Sequence, residues 1–161
     1  MNSTHRLSSL IRPRHLFSRE EYVAMLPLLS GCPFCESETQ WILAANAHWY
    51  WSACLAPYWK FHTMIVPRRH IESPHEIDRD EEFKDYLEIN EIAASGYRSS
   101  GFRRTASYTR HREDPFEIET NTPRLTHLHI HVFPDRAGLL DPVLDADARD
   151  WDPNELLISR H

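Results

Sequence analysis

The feature that most constrains this chain is the segment 126–134, in which histidine alternates with aliphatic residues. Strict alternation predicts a β-strand with one buried face, because successive side chains of a strand point to opposite sides. His127, His129 and His131 would then share a face, each about 6–7 Å from the next. Three histidines on one face indicate a metal site, a nucleophile with its helpers, or both. A site that uses all three as metal ligands stays open.

The chain has 161 residues, the size of one domain, and a formal net charge of −6. This charge argues against a protein that coats nucleic acid, because nucleic-acid-binding faces are basic. Small phosphorylated ligands stay open, since they need only a few local donors. No apolar run approaches the roughly 20 residues that span a membrane, and residues 1–19 lack the apolar core of a signal peptide. We therefore expect a cytoplasmic protein with no membrane partner.

The remaining pattern predicts an α+β fold, with a mostly antiparallel five-stranded sheet and one main helix. Besides the histidine strand, the predicted strands are residues 41–45, 48–55, 61–67 and 102–108. A short helix is capped at Ser18 and ends at Gly31. The main helix is predicted over residues 77–98. Its apolar stripe consists of Phe83, Leu87, Ile89, Ile92, Ala93 and Tyr97.

Two extensions flank the predicted domain, which covers residues 20–137. Residues 1–19 carry scattered basic side chains without periodicity and are expected to form a loosely attached arm. Residues 138–161 are acidic and are expected to form an extended tail. Residues 111–123 are polar, contain two prolines and are predicted to be an active-site loop.

Two of the three cysteines, Cys32 and Cys35, are separated by two residues. This spacing is typical of a zinc knuckle, in which two thiolates reach one ion from a tight turn. A redox pair is the alternative, although no thioredoxin-like βαβ pattern surrounds the cysteines. Cys54 lies within a predicted strand and is expected to be a small core residue.

A second segment with histidines, residues 61–70, carries His62 near its start and His70 just beyond the predicted strand. His70 could reach a metal from the turn that follows the strand. Its other interpretation is a surface histidine in a basic turn. The cysteine pair and the histidine strand favour the metal-binding interpretation.

Residues 127–133, His-Leu-His-Ile-His-Val-Phe, resemble the signature of the histidine triad (HIT) family of nucleotide hydrolases and transferases. The cysteine pair and the segment 61–70 occur in the family's order and near its spacings. The resemblance implies a HIT-like fold and, in the branch that has this cysteine pair, one structural zinc ion. The ligands it implies are Cys32, Cys35, His70 and His127.

The same resemblance assigns roles to the other histidines. It implies that His129 is the nucleophile, which attacks an α-phosphorus and forms a nucleotidyl-histidine. It also implies that His131 holds a phosphate oxygen. Imidazole suits this chemistry, because much of it is uncharged near neutral pH. Together with Arg124, His62 and His131 are expected to bind the substrate, a nucleotide or another phosphorylated small molecule.

Two positions depart from the family pattern. Residues 121–126 replace the glycine, glutamine and serine or threonine that usually precede the triad, and they include Arg124. The guanidinium of Arg124 can form two parallel hydrogen bonds with a phosphate. Its other interpretation is a solvated charge at the end of the strand. Cys54 stands eight residues before His62, where the family has an aspartate that holds the ribose hydroxyls. Whether these two positions change the recognition of ribose and phosphate stays open.

Four functions remain open at this stage. One is a hydrolase that cleaves phosphoanhydride or phosphoramidate bonds, and another is a nucleotidyltransferase on the same scaffold. The third is a non-catalytic, zinc-stabilised nucleotide-binding module. The fourth, a metal-dependent oxygenase or hydrolase that uses the triad as ligands, leaves Cys32 and Cys35 unexplained. The resemblance also implies a homodimer, which would cover Trp49, Tyr50 and Trp51, although such a cluster is more often core.

Overall fold

The structure is a computed structural model, and it describes residues 16–28, 31–37, 40–102, 105–109, 126–134, 149 and 151–157. Within them lie two α-helices, α1 (Arg19–Met25) and α2 (Glu81–Ser99). The strands are β1 (Trp41–Ala45), β2 (Trp49–Ala53), β3 (Thr63–Pro67), β4 (Thr105–Thr109) and β5 (Ile130–Pro134). Short 3₁₀ turns lie at Leu26–Leu28, Pro74–Glu76 and Pro153–Leu157.

The five strands form one sheet in the order β1-β2-β3-β5-β4, and each neighbouring pair is antiparallel. The predicted α+β fold with a mostly antiparallel five-stranded sheet is therefore confirmed. The histidine strand is shorter than predicted and begins at Ile130. Before it, the N–H of Leu128 donates to the carbonyl of Ile71 at 2.6 Å rather than to a neighbouring strand. His127 and His129 thus lie in the segment that leads into β5.

The aromatic run of β2 lies inside the molecule. Trp49 and Trp51 belong to the cluster on the α2 side of the sheet, whereas Tyr50 packs on the other face with Phe34 and Met64. Each of the three β2 aromatics is at most 1% exposed. Because a single chain already buries them, the argument that a homodimer covers them is wrong.

Helix α2 covers one face of the sheet with half of its predicted apolar stripe. Ile89, Ala93 and Tyr97 are buried, whereas Phe83, Leu87 and Ile92 are 46, 51 and 39% exposed. The buried three follow one another at intervals of four residues, which places them on one helical face. The prediction of a single buried stripe is wrong for the other three, which lie beside that face.

Gly96 allows α2 to approach the sheet closely. A Cβ atom at this position would lie 2.6 Å from the ring of Trp51. Among the described helices, none combines the length and the apolar character needed to cross a membrane.

Both extensions contribute to the core where the structure describes them. Leu16, Trp151 and Leu156 are buried in the cluster between the sheet and α2. The expectations of a loosely attached arm and an extended tail are wrong for these residues. Burial of large apolar side chains outweighs the entropy lost in ordering them, whatever the charge of the surrounding sequence. The rest of both extensions and the predicted loop 111–123 lie outside the described part of the chain.

Candidate metal centre and histidine site

Four side chains bring their ligand atoms together at one end of the central strands. The sulfurs of Cys32 and Cys35 and one ring nitrogen each of His70 and His127 all lie within 4.8 Å of one another. Nδ1 of His127 is 3.4 Å from each sulfur, and Nδ1 of His70 is 3.3 Å from Sγ of Cys35. These are the four residues that the family resemblance implies as zinc ligands.

Antiparallel pairing explains why these ligands meet. Because β3 and β5 are antiparallel, the C-terminal end of β3 lies next to the N-terminal end of β5. His70, which follows β3, therefore lies beside His127, which precedes β5. Their rings contact edge to face with centroids 4.7 Å apart. The cysteines come from a tight turn after α1, in which the N–H of Cys35 donates to the carbonyl of Cys32 at 3.1 Å.

The ring of His127 is held with Nδ1 toward the two sulfurs. Its Nε2–H donates to the carbonyl of Pro67 at 2.8 Å, which leaves the lone pair on Nδ1. Burial lowers the pKa of His127 to about 4, the Pro67 bond opposes this shift, and nearby His70 and His129 add to it. Because a metal binds the neutral imidazole, this environment favours the ligating form of the ring.

The geometry and the donor set fit a closed zinc site. With Zn–S bonds of about 2.3 Å and Zn–N bonds of about 2.0–2.1 Å, a tetrahedron separates sulfur from nitrogen by about 3.5 Å. The observed sulfur–nitrogen separations of 3.3 and 3.4 Å are close to this value. Without a cation, partial burial of the sulfur and the neighbouring Cys32 thiol raise the pKa of Cys35 to about 11. A bound cation would reverse that preference, because thiols that ligate a metal are deprotonated.

His129 lies outside this group, although it is two residues from His127. Its Nδ1 is 2.8 Å from the carbonyl oxygen of His127, and since a carbonyl can only accept, Nδ1 carries the proton. The half-buried ring packs against Phe34 and His131, with centroids 5.0 and 4.9 Å away. Among the described residues only one triad histidine joins the metal-binding group, which argues against the interpretation that all three are ligands.

His131 forms a buried pair with His62. Nε2 of His62 and Nδ1 of His131 are 2.7 Å apart, and Nδ1 of His62 accepts from the N–H of Tyr58 at 3.1 Å. In neutral rings this arrangement places one proton on Nε2 of His62, which donates to His131, and one on Nε2 of His131. His62 is 0% exposed. The His62 ring therefore donates to His131 inside the protein, and its expected contact with the substrate stays a prediction.

The two positions that depart from the family pattern have different outcomes. Cys54 is buried in the cluster with Phe34 and Tyr50, so it is the small core residue that was predicted. Arg124 lies outside the described residues, and its contact with phosphate stays a prediction.

Sequence reasoning misses two groups that support the site. Phe34, between the two cysteines, packs on His129. Arg69, beside His70, forms two hydrogen bonds of 2.9 Å with the carboxylate of Glu82, and these lower the pKa of Glu82 to about 2. They tie the turn that carries His70 to the first turn of α2. Phe34 could have been predicted from the sequence, because it lies inside the C-x-x-C turn. No sequence pattern marks Glu82.

Three alternate histidines that lead into β5, the first of them within a Cys₂His₂ group, are the features of a histidine triad protein with a candidate zinc site. The model of the HIT domain family matches residues 42–138, more than half of the chain. The chain belongs to the HIT domain family, as its sequence motifs predict. No curated protein sequence matches it.

Solved structures share this fold. A Zn-bound histidine triad family protein from Mycobacterium smegmatis aligns with a TM-score of 0.57 and 20% identity, over 78% of this chain and 87% of that one. A hypothetical histidine triad nucleotide-binding protein from Sulfolobus tokodaii gives 0.56 and 15%, over 78% and 85%. A HIT family hydrolase from Clostridium thermocellum gives 0.52 and 18%, over 68% and 95%. At these identities the likeness shows the fold.

Proposed function

We propose that the protein is a nucleotide hydrolase that cleaves a phosphoanhydride or phosphoramidate bond at the α-phosphorus through a nucleotidyl intermediate on His129. The observation that carries this proposal is the 2.8 Å hydrogen bond from Nδ1 of His129 to the carbonyl of His127. It selects the tautomer in which Nε2 has the lone pair that attack on phosphorus requires. Membership of the HIT domain family supports the reaction class.

The covalent step exchanges one bond to phosphorus for another. Nε2 of His129 attacks the α-phosphorus, and the bond to the leaving oxygen or nitrogen breaks with its electron pair, after which the leaving group takes a proton from water. A second water molecule then attacks the phosphorus and releases a proton to solvent, and the electron pair returns to Nε2. Between these steps the carbonyl of His127 stabilises the positive charge of the modified ring through Nδ1–H.

His131 supplies a hydrogen-bond donor to the phosphoryl oxygens. Because its Nδ1 accepts from His62, its proton stays on Nε2. The ring lies 4.9 Å, centroid to centroid, from that of His129. One positioned donor is worth about 10²–10³-fold in rate when it meets the charge of the transition state. We propose a similar role for Arg124.

The metal group supports the nucleophile structurally. Cys32, Cys35, His70 and His127 would fill all four positions of a zinc ion, so zinc would supply rigidity rather than Lewis-acid chemistry. These residues hold the backbone of His127 in place. The carbonyl of that same residue orients the ring of His129.

Cys54 bears on the choice of substrate. A buried thiol does not hold two ribose hydroxyls as the carboxylate of the family pattern would. We propose that this site depends little on the ribose hydroxyls. A 2′-deoxyribonucleotide substrate should then react within about fivefold of its ribonucleotide, the factor that one ordinary hydrogen bond accounts for. A much larger preference for ribose would contradict this assignment.

We also propose that the protein is cytoplasmic and forms a homodimer, as the sequence and the family resemblance imply. In the described sheet, β4 is an edge strand whose one strand neighbour is β5. Phe83 and Leu87, one turn apart on α2, are exposed. Edges and apolar surface of this kind are features that a second copy covers. Light scattering at micromolar concentration should give the mass of a dimer, and a monomer mass would contradict the proposal.

A substrate screen tests the reaction. Nucleoside phosphoramidates, dinucleoside polyphosphates and nucleotide sugars are incubated with the parent protein and with His129→Ala, and the products are identified by mass spectrometry with and without added acceptors. We expect a nucleoside monophosphate from the parent and none from the variant. A nucleotidyl product that appears only with an acceptor would favour the transferase. Nucleotide binding without turnover would favour the non-catalytic module, and equal turnover by both proteins would contradict the role of His129.

A further inference from the structure

The hydroxyl of Tyr97 lies where three elements meet behind the histidine site. Tyr97 is near the end of α2 and is fully buried. Its Oη is 2.6 Å from the carbonyl oxygen of Phe61 and 3.1 Å from that of Val132. It is also 2.8 Å from Oγ1 of Thr63. A single side chain thus joins the helix to the start of β3 and to β5.

The donor and the acceptor of each hydrogen bond in this network can be assigned from the groups that carry protons. Nε1 of Trp51 can only donate, and it donates to Oγ1 of Thr63 at 2.8 Å. The carbonyls of Phe61 and Val132, 2.6 and 3.1 Å from Oη of Tyr97, can only accept, so the bond between the two hydroxyls uses the Thr63 proton. The proton of Tyr97 remains for the two carbonyls, which can only accept. The Tyr97 hydroxyl is therefore committed to Phe61 and Val132.

These two carbonyls flank the buried histidine pair, because Phe61 precedes His62 and Val132 follows His131. Side chains alternate along a strand, so Tyr97 approaches from the helix side while the two imidazoles lie on the opposite face. Phe61 has a φ of 65°, in the left-handed region that a phenylalanine rarely adopts. Such a conformation persists only when its surroundings hold it, and the shorter Tyr97 bond is made to this residue.

We propose that Tyr97 is a positioning residue that fixes the backbone on both sides of the His62–His131 pair. It thereby keeps Nε2–H of His62 directed at Nδ1 of His131. With that bond in place, the proton of the neutral His131 ring stays on Nε2. The catalytic consequence rests on the proposed function, whereas the geometry of the pair does not.

A loss of stability alone would not distinguish positioning from packing, because the ring of Tyr97 also contacts Trp51. Tyr97→Phe keeps the ring and removes the hydroxyl. Thr63→Val is the matched variant, since it removes a hydroxyl from the same network and leaves Trp51 Nε1 without its acceptor. It keeps the bonds from Tyr97 to both carbonyls. Tyr86→Phe, a half-buried tyrosine on the same helix, controls for loss of a phenol.

The experiment is NMR on protein with ¹⁵N-labelled histidine, loaded with zinc. The ring-nitrogen shifts of His62 and His131 report their tautomers, and the exchange of His62 Nε2–H with water reports how firmly the pair is held. In Tyr97→Phe we expect His62 Nε2–H to exchange at least about tenfold faster, because the pair then opens locally. We also expect ring-nitrogen shifts that are averaged between tautomers. Thr63→Val and Tyr86→Phe should stay within about twofold of the parent in exchange rate, with parent tautomers. All variants should retain the parent's zinc content.

Kinetics on an adenosine 5′-phosphoramidate supply the second readout. For Tyr97→Phe we expect kcat to fall about tenfold with KM nearly unchanged, since a small displacement of a catalytic group slows the chemical step. The proposal would be overturned if Tyr97→Phe kept the parent's histidine tautomers and exchange rate. It would also be overturned if Thr63→Val changed the tautomers and the exchange rate as much as Tyr97→Phe does. If the parent turns over none of the screened substrates, the proposed function fails, while the NMR comparison still decides the role of Tyr97.

The parent protein offers a check that needs no folded variant. The hydroxyl proton of Tyr97 should appear as a slowly exchanging resonance, because two buried carbonyls hold it. A Tyr97 hydroxyl that exchanges at the rate of an exposed phenol would overturn the proposal.

Discussion

The two ends of the histidine segment hold an imidazole in one orientation by different means. At the His127 end, partners from distant parts of the chain supply two sulfurs and a ring nitrogen, and two of these partners, Cys35 and His70, are exposed. At the His131 end, a fully buried His62 lies 2.7 Å away. The first end would be completed by a cation, whereas the second is completed by hydrogen bonds within the protein.

The difference shows that the partner of one ring nitrogen decides what the other nitrogen can do. In His127 the carbonyl of Pro67 takes Nε2–H, which leaves Nδ1 for a metal. In His129 a carbonyl takes Nδ1–H, which places the lone pair on Nε2. In His131 Nδ1 accepts from His62, which leaves Nε2–H as a donor. Under the proposed function, the same residue type thus serves as a ligand, a nucleophile and a donor.

The largest effect on activity is expected from His129→Ala. Loss of a covalent nucleophile costs on the order of 10⁴-fold or more in kcat. The zinc content and melting temperature should stay near those of the parent, because His129 is outside the metal group. His127→Ala is the comparison and should lose zinc and stability together with activity. Steady-state kinetics and elemental analysis measure both, and loss of zinc from His129→Ala would break the distinction between the nucleophile and the metal ligand.

Removal of one thiol tests the metal end by itself. The parent should carry about one zinc per chain, and Cys35→Ser should lose it. We expect this variant to lose on the order of 3 kcal/mol in the free energy of unfolding, because metal-binding energy is then missing from folding. Denaturant unfolding with and without chelator measures this change. Cys54→Ala, at a buried thiol outside the metal group, is the control and should keep its zinc.

Two results would contradict the assignment of the metal end. One is a parent protein that contains no zinc after purification without chelator. The other is Cys35→Ser that unfolds at the same denaturant concentration as the parent.

Phe34 sharpens the comparison because it touches both the candidate metal ligand His127 and the proposed nucleophile His129. Its ring centroid lies 5.7 Å from that of His127 and 5.0 Å from that of His129. Phe34→Leu should keep zinc and cost less than about 1.5 kcal/mol in stability. It should lower kcat about tenfold, since His129 loses a contact that restrains its ring. Ile42→Val trims the same cluster on β1 and should leave kcat near the parent value; an equal fall in both variants would refute a specific role for Phe34.

Local patterns predict the residues of both ends but not what supports them. The C-x-x-C turn and the histidine alternation place Cys32, Cys35 and His127 by local geometry, and the family resemblance adds their roles. The burial of Trp151 within an acidic segment depends on contacts with a sheet far away in sequence, which no local pattern encodes. The Tyr97 network likewise joins a helix to two strands, and its residues resemble ordinary core positions until the chain is folded.

The smallest effect is expected from Glu82→Gln, which weakens the tie between α2 and the turn that carries His70. The hydrogen bonds from Arg69 hold the pKa of Glu82 at about 2, below its usual 4.5. The folded state thus favours the ionised carboxylate, so its contribution is complete above about pH 4.5 and disappears as the pH falls toward 2. For this partly exposed pair we expect about 1 kcal/mol at pH 7. Denaturant unfolding should show the gap between parent and variant closing from pH 7 to pH 3, and a gap independent of pH would refute this.

The central claim is that His129 forms a bond to phosphorus during turnover. Rapid mixing of the parent with a substrate from the screen, denaturation under alkaline conditions that preserve phosphorus–histidine bonds, and intact-mass spectrometry test it directly. We predict a mass increase of one nucleoside monophosphoryl group, located on His129 by peptide fragmentation and absent from His129→Ala. Turnover without any adduct at early times, or an adduct on another residue, would contradict the account.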